Sequence, residues 1–288
     1  MGKEPYVSPE GFTPVVLEVF PYRQTGLACL VVQSNEDRDL HLSEINLCED
    51  FSAEDPETVF SIKSWIYSML QITDDEIYIA HSGKALRRGA HAEPQTVLTV
   101  DADMTKLCAG SGGIYVLGLH GYVAFYDGRT LTDISVAQSD DIYFVAETPN
   151  GTIYACGGKG GLFRRDGAAW SPIDLGTNAE IYRILLPDDK TLLLAGSNGF
   201  CARLAGDALT VFKTPEGRDY RAVALFGKQL FFGAGMHGLD VLKDGEVVPF
   251  KDNIYSYNLF ANDQYLFASG LNEVARFDGD DWLATEFT

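Results

Sequence analysis

Short apolar runs rich in Tyr, Phe, Ile, Val and Leu alternate with breaks of Gly, Asp and Asn every ten or so residues, and no stretch sustains a 3.6-residue apolar stripe. The pattern predicts strands. The runs also recur: IYVLG from Ile114, IYACG from Ile153, LLLAG from Leu192 and FFGAG from Phe231 each begin 39 residues after the last. IYIAH from Ile77 and LFASG from Leu266 extend the series with spacings of 37 and 35. A second marker keeps the step, because Asp127-Gly128, Asp166-Gly167, Ala205-Gly206 and Asp244-Gly245 are again 39 apart, with Asp278-Gly279 after 34.

Helical solenoids and propeller blades share such periods, so the pattern inside one repeat decides. IYFVAET from Ile142 turns at TPNG into TIYACGG, which turns at KGG into LFRR, which turns at Asp166-Gly167 into AAWSPID. This reads as a four-stranded meander. Asp-Gly suits its last hairpin, since a tight primed turn needs positive φ. Four residues after each turn's first member stands Leu131, Trp170, Leu209, Val248 or Trp282, placed to pack on a neighbouring sheet. An isolated four-stranded sheet exposes apolar surface, whereas several arranged radially bury both faces. The expected fold is all-β, a β-propeller of four-stranded antiparallel blades in one domain, 1–288. TPVVLEVF, GLACLVVQ and DLHLSEINL make residues 1–60 a divergent first blade before six regular ones in 61–288, seven in all; six blades with an N-terminal appendage is the alternative.

The glycine cluster Gly157-Gly158-Lys159-Gly160-Gly161 invites a phosphate-loop reading. It falls at the same turn as GLHG (118–121), GSNG (196–199) and GMHG (235–238), so these glycines are hairpin residues. GAGMHG at 233–238 matches G-x-G-x-x-G, yet the strand LDVLKDG follows where a dinucleotide site needs a helix.

An apolar strand, a G-x-x-G turn, a second strand and then DGxxW resembles the bacterial propellers grouped with photosystem II assembly-factor-like and BNR-like repeats. The likeness covers roughly residues 65–288. Asp166-Gly167 with Trp170, and Asp278-Gly279 with Trp282, match the tail of an Asp-box whose serine and threonine are absent. The resemblance implies a propeller with a binding role and imports no sialidase residues.

Composition narrows the partner. A formal net charge of −19 repels nucleic acid and anionic lipid and draws basic proteins. Residues 35–59 alone carry nine acids against Arg38, a pattern usual for a solvated loop. Five cysteines without CxxC spacing suggest free thiols in a reducing cytoplasm, and neither a leader nor an apolar span is evident. No cofactor or metal is expected.

The repeat also picks candidate site residues. His120, Lys159, Asn198 and His237 follow one another at 39 residues on the second-to-third strand turns, as either a binding rim or unconstrained turns. Asp141, Glu180 and Asp219 keep the same step just before each first strand, with Asp103 and Asp252 near the corresponding corners. There they form either a carboxylate ring at a channel mouth or local turn caps. Arg183 lies within a first strand, where it lines the channel or pairs with an acid. His41, His81 and His91 have no serine or cysteine arrangement of an activated nucleophile nearby in sequence. The reading is a non-enzymatic, cytoplasmic binder of a basic protein: a scaffold, an assembly factor or an immunity-type neutraliser. A carbohydrate-binding or carbohydrate-active propeller is the alternative, favoured if aromatic residues stand beside paired acids at the channel mouth.

Overall fold

A computed structural model of the chain describes residues 8–288 except 24, 36–38, 52–55, 82–83, 90–94 and 138–139. His91, part of the acidic run and the first seven residues lie outside the described residues. Among the described residues every regular element is a strand, and 28 strands form seven four-stranded sheets in chain order.

The first sheet holds β1–β4 (Thr13–Tyr22, Gly26–Asn35, Leu40–Cys48, Glu57–Ile62), so the divergent N-terminal segment has a complete meander. The second holds β5–β8 (Ile66–Thr73, Glu76–His81, Lys84–Arg88, Gln95–Thr99) and the third β9–β12 (Met104–Gly110, Gly113–Gly118, Val123–Tyr126, Leu131–Asp133). The fourth holds β13–β16 (Ile142–Glu147, Ile153–Gly157, Leu162–Asp166, Ala169–Pro172) and the fifth β17–β20 (Ile181–Asp188, Thr191–Gly196, Cys201–Ala205, Ala208–Val211). The sixth holds β21–β24 (Ala222–Phe226, Gln229–Gly233, Leu239–Lys243, Glu246–Lys251) and the seventh β25–β28 (Asn258–Ala261, Leu266–Gly270, Glu273–Phe277, Trp282–Glu286).

The continuous apolar character of the second strands follows from burial on both faces. In β18, Leu192 and Leu194 pack with Tyr154 and Cys156 of the fourth sheet, while Leu193 and Ala195 pack with Val223 and Phe232 of the sixth. Successive side chains point to opposite faces, so a strand between two sheets needs apolar residues at every position. β2 repeats the arrangement: Cys29 and Val31 meet Phe267 and Val274 of the seventh sheet, and Leu30 and Val32 meet Ile66 and Met69 of the second. Burying one such Leu or Val contributes about 1.5–3 kcal/mol.

The chain divides into two compact units, Met1–Asp101 with Phe260–Thr288, and Ala102–Leu259. In the first, the amide of Val16 donates to the carbonyl of Leu271 and that of Ser8 to Thr288, which ties the first sheet to the last. In the second, the third to sixth sheets follow the 39-residue step.

The expected Asp-Gly primed turn holds in full at Asp244-Gly245, where φ is 53° and 85°. At Asp166-Gly167 and Ala205-Gly206 the strands pair as Asp166 with Ala169 and Ala205 with Ala208. There the glycine is the first central residue and the aspartate or alanine ends the strand, so only the glycine needs positive φ.

Candidate functional site

The second-to-third strand turns hold their register three times. His120, Lys159 and Asn198 have φ of 56°, 52° and 54°, each followed by a glycine at 73–76°. The amides of Tyr122, Gly161 and Phe200 close the turns on the carbonyls of Leu119, Gly158 and Ser197. Two successive left-handed residues with that bond make a type I′ hairpin. Gly160 shows why glycine comes second, since a Cβ there would stand 2.0 Å from the carbonyl oxygen of Thr177.

His237 departs from the series. The sixth sheet's hairpin closes at Gly233 opposite Leu239, one residue earlier than the step requires, and Gly235 and Gly238 take the positive φ. The cause lies downstream, where the interval shortens from 39. Buried Ser256 arrives to bridge Gly235 and to accept the amide of Ala234 on its Oγ, which fixes the earlier turn. His237 is therefore not equivalent to His120, Lys159 and Asn198.

The acids of the second column divide by role. Asp141 Oδ1 accepts the amide of His120 at 2.7 Å, and Asp219 Oδ1 accepts that of Asn198 at 2.8 Å. Each carboxylate thus caps the left-handed residue of the preceding sheet's hairpin. Lys159 instead pairs by its ammonium with Asp140 at 3.1 Å. Glu180, at the same step, turns elsewhere: Oε1 accepts the Tyr143 hydroxyl at 3.2 Å and Oε2 the Tyr182 hydroxyl at 2.6 Å.

Glu180 and these two tyrosines line a cavity of about 400 Å³, with Arg183, Arg221 and Tyr257 completing much of its wall. The wall is built from first strands and the residues entering them, because each sheet of this unit presents its first strand to the same side. Three contacts repeat one geometry. Tyr182 lies 5.6 Å from Tyr143 between ring centroids, Arg221 stacks 4.0 Å from the Tyr182 ring, and Arg183 stacks 3.9 Å from the Phe144 ring. In each, a residue meets the one 39 positions before it, so the repeat builds a ladder of aromatic and guanidinium planes. Asp219 Oδ2 stands 3.7 Å from Arg221, so this acid both caps a turn and steadies the ladder's last rung.

Burial, and then the hydrogen bond to Glu180, raises the Tyr182 phenol well above its ordinary value; burial and the Glu180 charge raise Tyr143. Both hydroxyls therefore stay protonated donors across the physiological range. Lys106 also reaches the cavity, so three cations and one carboxylate share it. An adjoining hollow of about 180 Å³ shares Arg221 and Tyr257 and is walled by the displaced hairpin, with Met236 66% exposed.

Of the residues expected from the sequence, Glu180 and Arg183 come together in the cavity, Asp219 touches its wall through Arg221, and Asp141, His120, Lys159 and Asn198 form the neighbouring turns. Tyr143, Tyr182 and Arg221 were missed. Their own 39-residue spacing was the available signal, obscured because their identities change from phenol to guanidinium. Among the described residues no group of three His, Cys, Asp or Glu is disposed to hold a metal ion.

The sequence matches no family model and no curated protein. Solved structures do resemble the chain. The WD40 propeller domain of Doa1 superposes with a TM-score of 0.72 at 8% identity, over 93% of this chain and 97% of that one. YCF48 bound to a D1 peptide gives 0.66 at 12% identity, over 96% and 100%. An extracellular domain from B. thetaiotaomicron gives 0.71 at 16% identity over 93% of this chain, which spans 38% of that longer protein. The fold is a β-propeller of four-stranded antiparallel blades. The YCF48 likeness agrees, at the level of fold, with the resemblance to photosystem II assembly-factor-like propellers.

Proposed function

We propose that this propeller is a non-enzymatic binder of a protein partner with a basic surface, and that the Glu180 cavity and its rim are the recognition site. The observation that carries the reading is the ladder of Tyr143, Tyr182 and Arg221 around Glu180. Tyrosine and arginine are the residue types that dominate binding energy at protein interfaces, and in this cavity both phenols are half-buried while Arg221 is exposed at the rim. Here ring stacking fixes both arginines and Glu180 fixes both phenols, so ordering on binding costs little. YCF48, of like fold, is bound to a peptide. The net charge of −19 and Asp140, Asp141 and Asp219 outside the cavity support a basic partner, whose cations would meet this rim because the cavity itself holds three cations against Glu180. Buried free thiols suit a reducing cytoplasm.

The tyrosine faces also favour a second reading, a sugar ring stacked beside Glu180. Among the described residues of the cavity wall Glu180 is the one carboxylate, where a glycan-active site uses paired acids.

Affinity capture from the native host, mass spectrometry and titration of the purified partner test the reading. The triple variant D141N/E180Q/D219N removes charge while each asparagine oxygen still accepts its turn amide. It should weaken binding about tenfold or more and flatten the salt dependence, because exposed charges act over about 8 Å at physiological ionic strength. An equal loss in the charge-matched variant D39N/E49Q/D50N would reduce the effect to diffuse charge and overturn the site.

A further inference from the structure

The fourth and fifth sheets are separated at one end by a groove of about 790 Å³. Its floor is apolar and mostly core: Leu192, Leu204 and Tyr154 are 3%, 5% and 7% exposed, with Ile173 and Leu209 partly exposed above them. Leu209 occupies the place taken by Trp170 one sheet earlier and by Trp282 in the last, and by Leu131 and Val248 in the third and sixth. Trp170 packs its indole against the core between the third and fourth sheets and donates Nε1–H to the carbonyl of Ile134, closing that seam. At the next seam the smaller Leu209 stands at the groove, which opens over Leu192, Leu204 and Tyr154.

The rim specifies charge. Asp174, Asp189 and Asp207 line the groove, with Asp166 and Asp188 adjoining, against Arg164 and Lys190. Arg164 and Asp166 answer each other at 2.9 Å, which leaves Asp174, Asp188, Asp189 and Asp207 against Lys190. Acids surround an apolar slot, which complements a basic segment carrying one large apolar side chain.

We infer that this groove is a second docking site, which takes an aromatic side chain flanked by lysine or arginine from the partner protein. The inference rests on the reading above only for the partner's basic character, because the site is a different one. β17 runs from the Glu180 end at Ile181 to the groove end at Asp188, about 23 Å of strand at 3.3 Å per residue. One side chain cannot occupy both places, so the partner would span two sites on opposite ends of the strands.

The test uses the pentapeptide Lys-Lys-Trp-Lys-Lys, with Lys-Lys-Ala-Lys-Lys as control, titrated into the full chain with isotope-labelled Ile and Leu methyls. The tryptophan peptide should shift the methyls of Ile173, Leu192, Leu204 and Leu209, and the alanine peptide should not. Leu209→Trp places in this seam the residue the repeat already uses at the previous one, and it should weaken peptide binding about tenfold or more. Should that variant fold poorly, D189N/D207N leaves the floor intact and should weaken the tryptophan peptide with loss of its salt dependence. Absent shifts, equal shifts with the alanine peptide, or binding unchanged by both variants would overturn the groove. Shifts confined to residues around Tyr182 would overturn it while leaving the Glu180 site standing.

Discussion

Asp240→Asn should destabilise the protein severely while leaving its fold recognisable. The Asp240 carboxylate is wholly buried in β23, where it accepts a hydrogen bond from the Arg218 guanidinium at 2.5 Å and from the Tyr220 hydroxyl at 2.7 Å. Arg218 is itself 17% exposed, so the pair is sheltered from solvent screening. Breaking a buried ion pair by removing one charge typically costs about 3–5 kcal/mol, because the other charge is left without an answer. The asparagine oxygen retains one acceptor, which places the cost near the lower bound, about 3 kcal/mol. At roughly 2–4 °C per kcal/mol for a unit of this size, calorimetry should show Tm falling by about 6–12 °C. Tyr220→Phe removes a single hydrogen bond to a charged group and should cost about 1.5–3 kcal/mol. The double variant should lose less than the sum, since both changes strike one network. Arg218 precedes Asp219 and Arg221, and its carbonyl accepts the amide of Gly199, so D240N should also loosen the ladder and weaken partner binding. A Tm within about 2 °C of wild type would refute this account of the 217–221 segment.

The remaining predictions concern ionisation, thiols and one turn. Burial, then hydrogen bonds to Glu147, Glu180 and Asp240, raise the phenols of Tyr115, Tyr182 and Tyr220 above 10.0. Their folded pKa values exceed the unfolded ones, so this contribution is complete below pH 10.0 and declines as pH rises further; the tyrosinate absorbance of these three, isolated as the difference between wild type and the single Tyr→Phe variants, should rise together with alkaline unfolding, not before it. At the acid end, Asp133 is held below its usual value by Ser135, so its contribution is present above the ordinary carboxylate pKa and lost as pH falls through the depressed one, which a Ser135→Ala variant should diminish. All five cysteines are free and buried, so thiol titration should find five after denaturation and very slow reaction before it. Gly160→Ala should shift the Lys159 hairpin or unfold it, measured as loss of amide protection at Gly161, since its Cβ has no room beside Thr177.

Much of the fold was legible in the sequence because a repeat turns tertiary packing into a periodic signal. Leu192 through Ala195 read as a continuous apolar run since both sheet faces are covered, and the turn glycines recur because the same φ recurs. What failed did so where the period failed. His237 slipped from its series when the spacing to Ser256 shortened, and no local feature of GMHG announces a hairpin one residue early. Asp141 and Asp219 were recognised as a column, yet their partners are backbone amides of His120 and Asn198 in the preceding sheet. A sequence does not display such partners, which left capping and binding indistinguishable. The Arg218–Asp240 pair joins an approach loop to a third strand across 22 residues, outside any register the repeat defines. Tyr143, Tyr182 and Arg221 were in register but changed chemistry from one copy to the next, as a specific site built on equivalent positions does.

On the proposed reading, the Tyr143–Tyr182–Arg221 ladder around Glu180 recognises a protein. The most direct measurement is calorimetric titration of the captured, purified partner into wild type and Y182A/R221A, with unchanged Tm confirming that each remains folded. Two anchors of this kind are worth about 2 kcal/mol or more each, so the partner's Kd should rise by roughly 700-fold or beyond. A Kd within about twofold of wild type would place recognition elsewhere on the propeller and contradict the account.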